Sequence, residues 1–342
     1  MDNIFKANAF LAALRQYDGV TTQNGGERVA MPLLYGENDT FKSYSGYEQL
    51  TVKPQEGLTT AFYPWTEIAG TITISRREER QNSGEAQLLN LLKAKITQAE
   101  MSIKGLVNNQ LIAGTVGSSD FVPGNSQKDL LPLGWFMGRL PATNPTAGGN
   151  VGDIARATHA WWRHRAARGH TGAETAHSYY LAVTTYKGLI ASLKRMLNYT
   201  SRGADGSAAN LILTTQVLYE TYESAVDERS RLMDAKLSEI GFDNVKVKNA
   251  TMVWDELVPD LNESYPVDHA SYPGTYPGTA WFVNTKFMKL VMDSQSDFVT
   301  TPFQEPENQT AKSAKVLFMG QMTCSNMAKQ GVLYGIPHNI VA

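Results

Sequence analysis

Between Tyr35 and Trp65 the chain carries seven aromatic residues, Tyr35, Phe41, Tyr44, Tyr47, Phe62, Tyr63 and Trp65, in 31 positions, far above the 10% aromatic content of the whole. Gly, Ser, Thr and Pro fill the spaces between them, a composition that suits extended strands joined by turns. A segment this thin cannot bury aromatic side chains on both of its faces unaided. It reads either as a hairpin that lies on another surface or as a meander in an ordinary core, and composition alone does not choose.

The residues that follow are more regular. "GTITISR" alternates, with Ile72 and Ile74 on one face and Thr71, Thr73 and Ser75 on the other, which predicts a half-buried strand. A long helix is predicted next, over 82–114. Asn82 and Glu85 have capping-box spacing, apolar residues recur at Leu88, Leu92, Ile96, Ala99, Ile103 and Leu106, and Gly114 supplies a stop. A helix of that length spans roughly 45 Å, so helix and thin hairpin together point to an elongated subunit.

From 115 to 152 Gly, Pro, Ser and Asn dominate and mark loops and a boundary. A compact mixed region follows. Leu189, Ile190, Leu193, Met196 and Leu197 have helical spacing, and "ANLILTT" reads as a buried strand. Thr214 or Thr215 is the expected N-cap of a helix running to Ile240 and stopped by Gly241. "VKVKNATMVW", "TAWFVNT" and "KVLFMGQMTC" are read as strands, with "YPVDHASYPGTYPG" as a surface loop. There is no internal repeat.

With 342 residues the chain exceeds the size at which one core stops growing, about 250 to 300 residues, so more than one unit is expected. A formal net charge of −2 leaves no global field to draw the molecule onto DNA or an anionic membrane, and any such binding has to be local. The lone Cys324 excludes an internal disulfide and suits a reducing compartment. No run of 18 apolar residues and no basic-then-apolar leader is present, so neither membrane insertion nor secretion is expected.

Catalytic and cofactor signatures are missing: no GxxxxGK[ST], no GxGxxG after a strand, no HExxH and no paired cysteines. No cofactor and no enzymatic activity are expected, and a hydrolase has only scattered Ser, His and Asp in its favour. Two charged or aromatic clusters remain. Arg76, Arg77, Glu78, Glu79 and Arg80 stand at a strand-to-helix corner where both signs of charge can pair with a neighbouring copy. "ATHAWWRHRAARGH" concentrates Trp161, Trp162, Arg163, Arg165 and Arg168 with His159, His164 and His170. The histidine separations of five and six residues do not converge for a metal on a helix. A stacking and phosphate-gripping role for Trp161 to Arg168 stands against the commoner use of paired tryptophans as core or interface anchors.

The ends of the chain carry a resemblance. "KNATMVWDE", "FVNTKFMKL" and "PFQEPENQTAKSAKVLFMGQMTCSNMAKQGVLYGI" resemble, in order, the C-terminal part of tailed-bacteriophage major capsid proteins of the Hong Kong 97-like fold. "FKANAFL", "MPLLYGENDTFKSYSGYEQL" and "TAFYPWTEIAGTITISRREERQNSGEAQLLNLL" agree at the front, and the likeness is weakest from 115 to 210.

That resemblance implies an α+β subunit with an N-terminal arm (1–33), an extended loop or β-hairpin (34–75), and a peripheral domain (76–135) with its spine helix at 82–114. An axial domain (136–281), return strands of the peripheral domain (282–325) and a final return to the axial domain (326–342) complete it. It implies self-assembly as hexamers and pentamers into an icosahedral head around double-stranded DNA, contacted without sequence specificity. Portal and cement proteins are the other expected partners. No long leading segment acts as a built-in scaffold, so a separate scaffolding protein is expected. The expected intersubunit residues are Phe41, Tyr44, Tyr47, Phe62, Tyr63 and Trp65 of the extended loop and the charged corner Arg76 to Arg80. Some relatives crosslink lysine to asparagine; Lys42 and Lys53 are the only lysines of the loop, and noncovalent locking is expected. The same fold in an encapsulin-like nanocompartment shell is the main alternative, and a nucleic-acid-binding protein using Trp161 to Arg168 is another.

Overall fold

The computed structural model describes residues 9–50, 52–81, 91–112, 128–138, 141–142, 150–169, 183, 185–203, 205–226, 244–258, 278–305, 310–336 and 340. Two sheets share one continuous core. The first is organised by a 14-residue strand, β12 (Ala311–Cys324), which contains the apolar run "KVLFMGQMTC". Along one edge β12 pairs antiparallel with β4 (Thr66–Ser75), in register from Ala311 opposite Ser75 to Gly320 opposite Thr66. Its other edge carries β10 (Met288–Asp293) and the short β11 (Val299–Thr300), and β1 (Val20–Gln23) adds parallel to β10. In β4 the alternation expected from sequence is realised: Ile68, Ile72 and Ile74 are buried, and Glu67, Ala69, Thr71 and Thr73 face out.

Helix α3 (Leu91–Ile112) lies against this sheet and buries Ile103, Val107, Leu111 and Ile112. Each such side chain contributes about 1.5 to 3 kcal/mol by leaving water. The expected Asn82–Glu85 capping box and Gly114 stop fall outside the described residues. A capping box is nevertheless present just upstream: Glu78 N–H donates to Ser75 Oγ and Ser75 N–H donates to Glu78 Oε2, both at 3.2 Å. It opens a short helix, α2 (Arg76–Gln81), from the spacing S-x-x-E in "SRRE".

The second sheet has six strands in the order β5-β13-β9-β6-β8-β7. These are β5 (Arg165–Arg168), β6 (Leu211–Thr214), β7 (Asn244–Val247), β8 (Ala250–Trp254), β9 (Gly278–Val283) and β13 (Gly331–Ile336). Every residue of β6, β9 and β13 is buried, the mark of strands covered on both faces. On one face Leu211, Trp281, Val332 and Tyr334 join the core that extends to the first sheet. On the other, Ile212, Phe282 and Leu333 meet two helices, α5 (Tyr186–Thr200) and α6 (Gln216–Ala225). A one-turn helix, α4 (Leu133–Phe136), is wholly buried. The N-cap of α5 is Thr185, whose hydroxyl accepts from Gly188 N–H.

Two expectations need correction. "VKVKNATMVW" is a hairpin, not one strand: Lys248 takes a positive φ of 55° and turns β7 back onto β8, Val247 opposite Ala250. The helix that starts after Thr215, which makes no side-chain cap hydrogen bond, ends at Ala225, where Val226 turns extended (φ −102°, ψ 121°); residues 227–243, the remainder of the expected helix, lie outside the described residues. Within residues 1–33, read as an N-terminal arm, α1 and β1 pack against the body. Helix α1 (Ala9–Gln16) buries Phe10 and Leu14, and its first amides are held by Asp255, which accepts from Phe10 N–H, and Asn108, which accepts from Leu11 N–H. Asn108 also donates to Asp255 at 3.2 Å, and burial raises the Asp255 carboxyl pKa.

Candidate functional site

The aromatic segment forms a projecting hairpin. Strands β2 (Arg28–Leu34) and β3 (Leu58–Pro64) pair antiparallel, Arg28 opposite Pro64 and Leu34 opposite Leu58. Beyond them residues 35–50 and 52–57 form no helix or strand. The neck is narrow: Tyr35 N–H donates to Gly57 carbonyl at 2.8 Å, and a Cβ on Gly36 would stand 3.1 Å from Gly57 Cα. Past that point the described polar contacts stay inside the loop, from Tyr44 Oη–H to Gly46 carbonyl, Thr40 to Asn38, Glu48 N–H to Ser45 carbonyl, and Lys42 to Glu48 at 3.8 Å.

Its apolar side chains point at solvent. Phe41 is 84% exposed, Val52 97% and Tyr47 fully so, with Tyr44, Leu34, Leu50 and Leu58 also exposed. That is a contiguous apolar ribbon on a limb too thin to cover it. Phe41, Tyr44, Tyr47 and Phe62 thus stand where the sequence placed them, on the outside. Tyr63 and Trp65 do not. Tyr63 is fully buried and its hydroxyl donates to Cys324 carbonyl at 2.8 Å, with its pKa raised by burial. Trp65 packs on the core and its Nε1–H donates to Gly26 carbonyl. Tyr63 belongs to the chain's own interior, because strand alternation turns it inward where Phe62 turns out, and Trp65, just past β3, is half-buried against that core.

The foot of the hairpin explains the tryptophan pair. Trp161 stacks on Tyr35 with ring centroids 4.8 Å apart and planes 13° apart, and meets Trp162 edge-on at 5.6 Å. Trp162 is buried and donates from Nε1 to Val151 carbonyl. Phe62 N–H donates to the carbonyl of Gly152, whose φ of +62° brings its backbone so close that a Cβ there would lie 2.7 Å from Ala61 Cβ. Arg28 and Asp153 pair across the same junction at 3.1 Å. Residues 150–163 therefore clamp the hairpin to the body.

The remaining members of that stretch are also accounted for. His164 is buried; its Nε2–H donates to Gly138 carbonyl at 2.6 Å while Nδ1 accepts from Arg156, so the ring is neutral. Burial, with the neighbouring Arg156 charge, drives its pKa down to about 3. Arg163 donates to the carbonyls of Arg156 and Ala157, Arg168 is buried in β5, and His159 is exposed. His170 lies outside the described residues, and no group of metal-ligating side chains occurs among those described. Trp161 to Arg168 is not a single phosphate-gripping face.

At the charged corner the two acids are already used within the chain. Glu78 accepts from Lys95 at 2.8 Å, which with the Ser75 amide holds its carboxyl below the usual range, and Glu79 pairs with Lys312 at 3.0 Å. Arg76 and Arg77 are exposed, and Arg80 is also at the surface. Beneath the corner a groove of about 420 Å³ runs between β4 and α3, lined by Ile68, Ile72, Ala99, Ile103 and Leu106 with Lys95 at one end.

No protein-family model matches the sequence, and no curated protein sequence matches it. Solved structures do. The chain is similar to the capsid asymmetric unit of cyanophage A-1(L), with a TM-score of 0.63 at 15% identity, covering 98% of this chain and 95% of that one. The fold is the Hong Kong 97-like capsid fold. The capsid of Myoviridae phage XM1 matches the same fold with a TM-score of 0.57 at 11% identity over 98% and 94% of the two chains. So does the SrpI encapsulin of Synechococcus elongatus PCC 7942, at 0.56 and 9% over 100% and 92%.

Proposed function

We propose that this chain is a major capsid protein, a shell subunit that assembles as hexamers and pentamers into an icosahedral head around double-stranded DNA. The observation that carries this reading is the exposed apolar hairpin: side chains such as Phe41, Tyr47 and Val52 leave water only when another copy covers them. Many such contacts of modest strength give a stable closed shell while each single contact stays reversible during assembly. In this reading the five-stranded sheet with α3 forms the peripheral domain and the six-stranded sheet the axial domain. The role is structural, with no catalytic step. A separate scaffolding protein, a portal and a cement protein are its proposed partners, and locking between copies is noncovalent.

Electron microscopy of the purified chain, alone and coexpressed with a candidate scaffold, should show closed shells of uniform diameter. A chain that stays monomeric at high concentration in both preparations defeats the proposal. The likeness to the SrpI encapsulin favours one second reading, a nanocompartment shell. Purified shells should contain nucleic acid on the first reading and a co-purifying protein cargo on the second, which mass spectrometry and absorbance at two wavelengths separate.

A further inference from the structure

Three cations at the hairpin foot and on the five-stranded half of the molecule sit in ion pairs. Arg28 meets Asp153, Lys95 meets Glu78 and Lys312 meets Glu79, all within 3.1 Å. The six-stranded half differs. Helix α5 and the turn after it carry Lys187, Lys194, Arg195 and Arg202 and no acid at all. Arg195, Asn198 and Arg202 recur at i, i+3 and i+7 and are exposed along one face of that helix and its C-terminal turn.

Other elements extend the face. From the β7–β8 turn, Lys248 donates to Asn198 Oδ1 at 2.6 Å. From β5, the Arg165 guanidinium lies 4.8 Å from the ring centre of Tyr199, and the Arg202 guanidinium lies 4.9 Å from the same ring. Next to Arg165, Lys329 donates to Ser201 carbonyl at 3.1 Å, and Gly203, with φ 116°, leaves its backbone open above Lys329. Lys286 closes the row. The one carboxylate that any of these six cations touches among the described residues is Asp205, which Lys286 engages at 2.8 Å. Burial lowers the pKa of Lys329, and the charges of Arg165 and Lys286 act in the same direction against Asp205.

Five of these six cations reach the surface, Lys329 being buried beneath them, and among the described residues they touch one carboxylate, a local excess of positive charge on a chain whose net charge is −2. Two arginines held over one tyrosine ring have their guanidinium positions fixed before any ligand arrives, which suits bidentate contact with phosphate oxygens. Arg195 and Arg202, seven residues apart, are separated by about 10 Å along the helical path. That equals the rise of about three phosphates on one strand of a DNA duplex.

We propose that this face, built on α5 with Arg165, Lys248 and Lys286 and backed by the buried Lys329, binds the phosphate backbone of the DNA enclosed by the shell. The assignment rests on the shell reading above for its occupant, and it requires that the face line the inside of the shell. It grips phosphates without reading bases: the face is the outside of a helix packed on its own sheet, and nothing in it has the shape of an element that enters a groove.

The test uses the full chain as free subunit and a fluorescein-labelled duplex of random sequence. Binding is measured as a function of salt for the wild type, for a triple variant Arg195→Gln, Arg202→Gln and Lys248→Gln, and for the control Lys312→Gln on the five-stranded half. All four positions are at the surface or only partly covered, and circular dichroism confirms folding. The wild type should lose affinity steeply with salt; the triple variant's log-log slope should be shallower by about three, and the control's unchanged. Equal slopes for wild type and triple variant overturn the proposal. So does stronger, equally variant-sensitive binding of poly-glutamate than of duplex, which would assign the face to an acidic protein segment. Closed empty shells should bind far less added duplex than free subunits do, and equal binding overturns the inward placement. Failure of the wild type to form shells falls on the shell reading alone, because the slope comparison is made on free subunits.

Discussion

The hairpin and the six-stranded sheet each place two aromatic residues side by side in a strand, and they treat them in opposite ways. In β9, Trp281 and Phe282 point to opposite faces and both are fully buried, because one face meets the main core and the other meets α5 and α6. In β3, Phe62 and Tyr63 also point to opposite faces, yet only Tyr63 is buried and Phe62 is 40% exposed. Strand geometry is the same in the two places. What differs is the second layer: β9 has its cover in the same chain, and the hairpin has cover on one face only, at its foot. A strand's alternation states which residues share a face, and only the rest of the fold states whether that face has been covered.

The comparison can be broken or sharpened by the stability of the free subunit, followed by chemical denaturation. Phe282→Ala should cost about 3 to 5 kcal/mol, the usual range for removing a core phenylalanine. Acid should have a comparable effect through His164. Its folded pKa of about 3 lies below the unfolded value of 6.5, so the stability tied to its neutral form is complete above pH 6.5 and is lost as pH falls toward 3. On the order of 4 kcal/mol is involved. The variant His164→Gln should flatten the stability profile over that interval, and an unchanged profile would remove His164 from the account. Ser75→Ala should cost about 1 kcal/mol through loss of the capping box, seen as faster amide exchange in α2. Smallest of all, Tyr47→Ser with Val52→Ser should move subunit stability by no more than about 0.5 kcal/mol. The same pair should abolish or strongly delay assembly in light scattering. A loss of about 2 kcal/mol in the free subunit would mean that the loop rests on its own body.

Sequence periodicity located the elements whose partners are regular. Ile72 and Ile74 named the buried face of β4, the spacing from Leu189 to Leu197 named α5, and the apolar run from Lys315 to Cys324 named most of β12. It failed where the deciding contact is distant. Nothing near Tyr63 in the chain announces that its hydroxyl will meet the carbonyl of Cys324, and nothing near Trp161 announces Tyr35. Turns without glycine or proline were also hidden: Lys248-Asn249 folds back a strand that reads as continuous, because the positive φ falls on a lysine. The capping box of α2 was legible in "SRRE" but went unread, whereas the one read for the long helix, Asn82 with Glu85, lies outside the described residues. The charged corner was visible as composition, whereas the engagement of Glu78 by Lys95 and of Glu79 by Lys312 depends on α3 and β12 lying alongside. The acid-free composition of α5 could have signalled the cationic face; what sequence could not supply was its union with Lys248, Lys286 and Lys329 from three other elements.

One feature of the topology governs timing in the cell. Both sheets are completed from the far end of the chain: β4 waits for β12, and β5 and β9 wait for β13 to pass between them. A ribosome adding about 5 to 20 residues per second releases β4 tens of seconds at most before β12. The hairpin, closed by neighbouring strands β2 and β3, can form meanwhile. A nascent polypeptide can thus extend its limb early, but both sheets stay unfinished until translation has passed residue 324. On the shell reading, prematurely terminated products would lack the finished surface on which a sister's limb lands.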